Sequence, residues 1–293
     1  MRAEQVTGPV AHHGEGPCWW DDWGGLKFVD MLSGDVLSLR EDGSVWRAPI
    51  GRVAAALRPR VGGGAVVATE RSFALCAHDD LSDVTHLPDV WSEPTIRFND
   101  GGCDPEGAFW CGTMAYDEKP GAGTMYRLTM GSRGEDPHVE TMWGDVTVSN
   151  GFAFSPDGSR AYYNDTPTKT IQVFDHDPDA SEQRLTNRRV LVSIEDERAA
   201  GPDGLCVDGE GCVWSAIYGT GEVHRYSPDG RLDGVVELPV SHVTACTFGG
   251  SDLGTLYITT TAEGLEPGAE PEAGSLYSVR PGVTGQPTLP FHG

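Results

Sequence analysis

Three oxygen-bearing side chains stand at one register of this 293-residue sequence. Asn99, Asn150 and Asp203 each lie eight residues before a turn glycine (Gly107, Gly158 and Gly211), in the contexts RFNDGGCDPEG, VSNGFAFSPDG and GPDGLCVDGEG. Glu15, within GEGPCWW, lies ten residues before a fourth, Gly25. Taken singly, an Asx residue next to Gly reads as a turn residue that tolerates left-handed backbone. The shared register argues for more. Two carboxylates and two amide oxygens make a hard, all-oxygen donor set, suited to Ca²⁺, Mg²⁺ or Mn²⁺ rather than to a thiolate-seeking metal. So few protein ligands leave coordination positions for water and substrate, which points to Lewis-acid catalysis rather than a structural ion.

Such residues can converge only if the elements carrying them are equivalent, and an internal repeat supplies that equivalence. A turn followed by a short apolar run recurs at Gly25, Gly64, Gly107, Gly158, Gly211 and Gly254, at intervals between 39 and 53 residues. Most copies are followed by a second run behind a polar turn, as in GDVLSLR, GTMYRL, TIQVFDH, GEVHRYS and GSLYSV. SVWRAPI and GVVELPV supply weaker alternating runs. Four strands per repeat of about 45 residues is the signature of a propeller blade. The expected fold is therefore all-β: a six-bladed β-propeller with four antiparallel strands per blade, forming one domain over residues 1–293. No long 3.6-period stretch competes with it. In a propeller the innermost strand of each blade starts at the axis, so Glu15, Asn99, Asn150 and Asp203 should meet at one mouth of the channel. The same offset in blades 2 and 6 holds Ala56 and Cys246.

Composition excludes several functions. Lys and Arg number 21 against 44 Asp and Glu, a formal charge of −23, and no run of three basic residues occurs. Nucleic-acid binding and anionic-membrane binding both depend on clustered cations and are not expected. Nor is a transmembrane segment, and the N-terminal MRAEQVTGPVAHHGEG lacks the apolar stretch of a secretory leader, so a cytoplasmic location is expected. Seven cysteines without a C-x-x-C pair read as reduced, mostly buried thiols. The acidic stretch from Asp175 to Glu182 opens like an EF-hand loop. Ala180 and Thr186 stand where that loop needs Gly and a bidentate Glu, so it is read as a solvated turn.

The segments GEGPCWW, RFNDGGCDPEGAFWCGTMAYD, VSNGFAFSPDGSRAYYND, GPDGLCVDGEGCVW and PEAGSLYSV resemble, in order and spacing, the senescence marker protein/gluconolactonase/regucalcin family. The resemblance runs from Glu15 to about Arg280. It implies a six-bladed propeller that hydrolyses sugar-acid lactones with one catalytic divalent cation, Ca²⁺ first, with Zn²⁺, Mn²⁺ or Mg²⁺ as alternatives. By position it makes Glu15, Asn150 and Asp203 the metal ligands, and Arg97 and Asn99 the residues that orient substrate. A carboxylate often ends the family's G-T-M segment, and Asp117 occupies that place, shorter than the Glu of some relatives. Asp203, both ligand and general base, would deprotonate the attacking water. A propeller hydrolase for a non-sugar lactone or an organophosphate stays open as an alternative, as does a non-catalytic calcium-binding regulatory protein.

Other residues read more plainly. His12 and His13 beside Glu15 invite a metal or Ser-His reading, but without an H-E-x-x-H or a G-x-S-x-G elbow they read as an ordinary strand or loop pair. His242 could face the channel. Trp19, Trp20, Trp110 and Trp214 read as core between blades. Asn164 opens a glycosylation sequon expected to stay unmodified. No feature of the sequence sets an oligomeric state.

Overall fold

Every one of the six turn glycines opens, or stands one or two residues before, the second strand of a four-stranded antiparallel sheet. The structure, a computed structural model describing residues 1–131, 136–180 and 184–293, is the expected six-bladed β-propeller, with three short 3-10 turns as its only helical segments among the described residues. The acidic stretch ending at Glu182 lies partly outside those residues, its last two positions included.

Blade 1 is built from Gly14–Trp20, Gly25–Asp30, Asp35–Leu39 and Val45–Pro49. The innermost strands of blades 2 to 6 are Ala56–Pro59, Ile96–Cys103, Ser149–Phe154, Gly201–Val207 and Val243–Gly249. Inner strands are buried along nearly their whole length because neighbouring blades cover both faces, which is why they read as near-continuous small and apolar runs. Outer strands such as Leu185–Ser193 are mostly exposed. Trp110 packs on Phe152 of the next blade at 5.3 Å between ring centroids, and Trp214 on Phe248 at 5.7 Å. Aromatic contact therefore joins blade to blade, as expected of these tryptophans.

Two blades repeat a buried ion-pair device. Asp104 Oδ2 accepts from Trp110 Nε1 at 2.8 Å and Arg127 Nε at 3.0 Å, while its Oδ1 accepts from the Ala108 amide at 2.7 Å. In blade 5, Asp208 Oδ2 accepts from Trp214 Nε1 and Arg225 Nε, both at 2.9 Å, and Oδ1 from the Glu210 and Cys212 amides. Each arginine lies over its tryptophan ring at 5.7 Å. Here the carboxylate ties the turn to the second and third strands with both oxygens engaged.

Distant chain segments close the ring. Glu4–Gln5 adds the fourth strand to blade 6 beside Tyr277–Val279. Beyond blade 6, residues 285–293 cross the far end of the channel. Gln286 Nε2 donates to Phe154 O, Thr288 Oγ1 to Trp19 O, and the amides of Phe291 and His292 to Pro59 O and Gly107 O. Phe291 is fully buried. Among the described residues no helix is long and apolar enough to cross a membrane.

Candidate functional site

The inner strands present the candidate residues at β-bulges. Pairing with the second strand slips between Phe98 and Gly101, between Ser149 and Phe152, and between Pro202 and Leu205, so Asn99, Asn150 and Asp203 all lie inside bulges. Glu15 is the last paired residue before the slip between Glu15 and Cys18. A bulge bends the strand and re-aims its side chains. Blade 2 pairs regularly from Ala56 to Pro59 and has no bulge. The glycine after each Asx residue serves close approach rather than a turn. A Cβ on Gly151 would stand 2.6 Å from Leu205 N, and one on Gly204 would stand 2.8 Å from Ala245 Cα. Only glycine lets adjacent inner strands come this near at the axis.

Glu15, Arg97, Asn99, Asn150 and Asp203 are all buried and line one cavity of about 430 Å³. A polarised hydrogen-bond chain fixes three of them and runs from blade 3 through blade 4 to blade 5. Arg97 Nη1 donates to Asn99 Oδ1 at 2.6 Å, and Asn99 Nδ2 donates to Asn150 Oδ1 at 3.1 Å and to Ser149 O at 2.7 Å. Asn150 Nδ2 then donates to Thr166 Oγ1 at 2.6 Å, whose hydroxyl donates to Pro202 O at 2.9 Å, next to Asp203. With each amide nitrogen so engaged, both amide oxygens are set by the network. Asn164, fully buried, donates Nδ2 to Asp203 O at 2.5 Å; the sequon asparagine is a support for the site.

Asp117 lies elsewhere. Met114, Tyr116 and Glu118 line the cavity, whereas Asp117 is exposed and accepts from the Lys119 amide at 3.2 Å. The strand ends at Ala115, and a turn closed by the Glu118 amide donating to Ala115 O at 2.9 Å, with Glu118 in left-handed backbone, leaves Asp117 outward and brings Glu118 to the cavity. The carboxylate here on the cavity is Glu118. His242 stands behind the wall, stacked on Tyr218 at 4.4 Å with its Nδ1 3.0 Å from the Tyr218 hydroxyl. Tyr218 and Glu263 themselves line the cavity.

Two residues were passed over in the sequence, Asp100 behind the site and His13 on its wall. Asp100, next to Asn99 and buried, accepts from the Gly101 amide at 2.6 Å. His13 lines the cavity with Nε2 3.9 Å from Glu15 Oε1. Period two could have flagged it, since residues 13 and 15 share a face of an extended strand.

The electrostatics follow from burial. Desolvation pushes the Glu15 carboxyl from its ordinary 4.5 up to about 8, with the Asp100 charge adding to it. Burial also drives Asp203 well above the usual carboxylate range, reinforced by Glu15 and Asp100, and lifts Asp100 to about 6. Burial, then the Arg97 charge, lowers His13 to about 3, so its ring is neutral. Asp203 Oδ1 is buried without a hydrogen-bond partner among the described residues.

Elsewhere among the described residues, Asp208, Glu210 and Cys212 bring potential ligand atoms within 4.8 Å of one another. The Asp208 oxygens are already engaged by two amides, Trp214 and Arg225, so the group is structural. At the far end of the inner strands, Cys18, Cys103, Cys206 and Cys246 line a smaller cavity of about 90 Å³ beneath Gln286–Leu289. All seven cysteines are free and six are buried.

Residues 13–262 match the family described as the SMP-30/gluconolactonase/LRE-like region. The chain belongs to this family. It is 33% identical over 303 residues to a regucalcin of Sus scrofa, covering 100% of this chain and 99% of that protein. Identity is 35% over 277 residues to a 6-deoxy-6-sulfogluconolactonase of Pseudomonas putida, covering 93% and 92%. A solved structure of the calcium-binding protein regucalcin from Agrobacterium tumefaciens matches with a TM-score of 0.87 at 26% identity, covering 100% and 97%. Both the resemblance carried by the SMP-30/gluconolactonase motifs and the propeller fold are thus borne out.

Proposed function

We propose that this protein is a divalent-metal-dependent lactonase that opens sugar-acid lactones to the corresponding aldonic acids. One observation carries the reading: Glu15, Asn150 and Asp203, from three different blades, converge with Arg97 and Asn99 on a single buried cavity. Membership of a family whose relatives include a 6-deoxy-6-sulfogluconolactonase supports lactone hydrolysis.

The residues fit a cation. Among the described residues, Asp203 Oδ1 is an orphaned, buried acceptor and Glu15 accepts only from the Gly16 amide, through Oε2. Two desolvated carboxylates that repel each other would be relieved by a positive charge. Glu15, Asn150 and Asp203 would hold the ion, with Ca²⁺ the first candidate and Mg²⁺, Mn²⁺ or Zn²⁺ the others. When bound, such an ion supplies Lewis acidity toward a carbonyl oxygen and lowers the pKa of water.

The chain's own groups do the rest. Arg97, held by Asn99, Phe98 O and Met31, brings a fixed cation to the wall, and Asn99 sits beside it. This pair suits a polyhydroxylated substrate. Asp203, through the carboxylate oxygen that does not face the cation, takes the proton of the attacking water. Water adds to the lactone carbonyl, the ring C–O bond breaks, and the proton passes to the departing ring oxygen.

Initial-rate hydrolysis of a panel of aldonolactones, by chelator-treated protein and after adding back each cation, tests this. Turnover is expected only with cation, and Asp203→Asn is expected to lose about 100-fold or more in kcat. Full turnover in excess chelator overturns the reading. Cation binding without turnover of any lactone would favour the regulatory alternative.

A further inference from the structure

Resting on the metal-site reading above, we infer that His13 is a nitrogen ligand of the same cation, which shifts this protein's preference from Ca²⁺ toward Zn²⁺. The juxtaposition is direct: His13 Nε2 lies 3.9 Å from Glu15 Oε1, on the wall of the cavity that holds Glu15, Asn150 and Asp203. That separation is too long for a hydrogen bond. Tetrahedral ligands of one Zn²⁺ ion stand about 3.4 Å apart, so a side-chain shift of about 0.5 Å would bring both atoms onto one ion.

The ring has no other employment. Its Nδ1 is buried without a partner, and Nε2 makes no hydrogen bond among the described residues. Nε2, on the cavity side with Glu15, has a lone pair that no protein donor claims among the described residues, and it is the nitrogen placed to take a cation. Its position is nonetheless fixed. The backbone amides of His12 and His13 both donate to Asp30 Oδ1, at 3.1 and 3.0 Å, and Asp30 Oδ2 is held by Arg47 Nη1 at 2.8 Å. Gly14, between His13 and Glu15, packs so closely that a Cβ there would stand 2.7 Å from Thr260 O. His13 and Glu15 are therefore presented from one rigid extended segment, two residues apart and on one face.

A nitrogen donor changes which ion the site prefers. Ca²⁺ and Mg²⁺ take oxygen ligands, whereas imidazole suits Zn²⁺ and its transition-metal neighbours. The donor set read as all-oxygen becomes mixed, with two carboxylates, an amide oxygen and an imidazole.

Isothermal titration of the chelator-treated full chain with Zn²⁺ and with Ca²⁺ tests the inference, in wild type, His13→Ala, Glu15→Gln and Asp203→Asn. X-ray absorption of protein loaded with one equivalent of Zn²⁺ supplies a direct readout of imidazole scattering. In His13→Ala, Zn²⁺ affinity is expected to fall about tenfold or more, Ca²⁺ affinity to hold, and the imidazole signal to disappear. Retained Ca²⁺ binding shows that the variant is folded, and His13→Leu, which keeps the bulk of the side chain, should give the same split. If Zn²⁺ and Ca²⁺ fall together, or neither falls, or wild type shows no imidazole scattering, His13 is not a ligand while the site itself stands. If neither ion binds wild type, or binding survives both Glu15→Gln and Asp203→Asn, the metal-site reading fails and takes the inference with it.

Discussion

Glu15, Asp100 and Asp203 bring three buried carboxyl groups into mutual repulsion, and pH acts on that repulsion directly. Glu15 has a folded pKa of about 8 against an ordinary 4.5. A group whose folded value is raised contributes stability fully below its unfolded pKa and loses it as pH rises through the folded one. Cation-free protein should therefore lose stability steadily between about pH 4.5 and 8, with Asp100 contributing up to about pH 6. The loss is on the order of a few kcal/mol, at about 1.4 kcal/mol per pKa unit. Urea denaturation in chelator across this range should show a shallower decline for Glu15→Gln; an equal decline would mean that Glu15 is not the group titrating. At this scale the sequence was most legible where residue type and register coincide, as for Asn99, Asn150 and Asp203. It was least legible where a turn decides, since the chain turns after Ala115 and so leaves Asp117 outward and Glu118 on the cavity. Asp100 stayed hidden because a carboxylate in N-D-G reads as turn chemistry until the strand around it is known to be buried.

In blades 3, 4 and 5 a bulge turns the inner strand into a site wall, whereas the bulge of blade 6, between Val243 and Ala245, carries no cavity residue. Asn99, Asn150 and Asp203 project from bulges, whereas the unbulged inner strand of blade 2 carries Ala56. The turn glycines located the blades without showing the bulges, because a two-against-one pairing depends on the partner strand. The Asp-Trp-Arg device works at the same scale, holding the first three strands of blades 3 and 5 together. Asp104 is fully buried and the Arg127 side chain 9% exposed, so Asp104→Ala would leave a nearly buried guanidinium short of its partner. The expected cost is about 3–5 kcal/mol of unfolding free energy, read by chemical denaturation. The related Asp208→Asn should leave cation stoichiometry unchanged, since the Asp208 oxygens already accept from protein donors. A lost equivalent of bound cation in Asp208→Asn would show that the Asp208, Glu210 and Cys212 group holds a metal after all.

At the scale of the whole molecule, a ring of six sheets needs closure, and two chain segments supply it from opposite directions. Glu4 pairs with Ser278 and Gln5 with Tyr277, contacts more than 270 residues apart. Separations this long leave no local pattern to read, which is why neither the closing strand nor the crossing tail was legible beforehand. The tail spans the inner strands at the Cys18 and Cys206 end, while the candidate site occupies the Glu15 and Asp203 end of the same strands. Structure and chemistry are thereby separated along the channel axis. Phe291 is the tail's fully buried anchor, packed in the cluster that includes Leu57, Phe73 and Phe109. Phe291→Ala should cost about 3–5 kcal/mol, the usual loss for a buried Phe. Because the inner strands are held independently by blade pairing, the variant should keep wild-type cation affinity and lactone turnover below its lowered melting temperature. Melting curves with and without saturating cation, beside initial rates at 25 °C, would decide this. Parallel loss of rate and stability would instead mean that the tail sets the spacing of the inner strands all the way to the mouth where Glu15 and Asp203 meet.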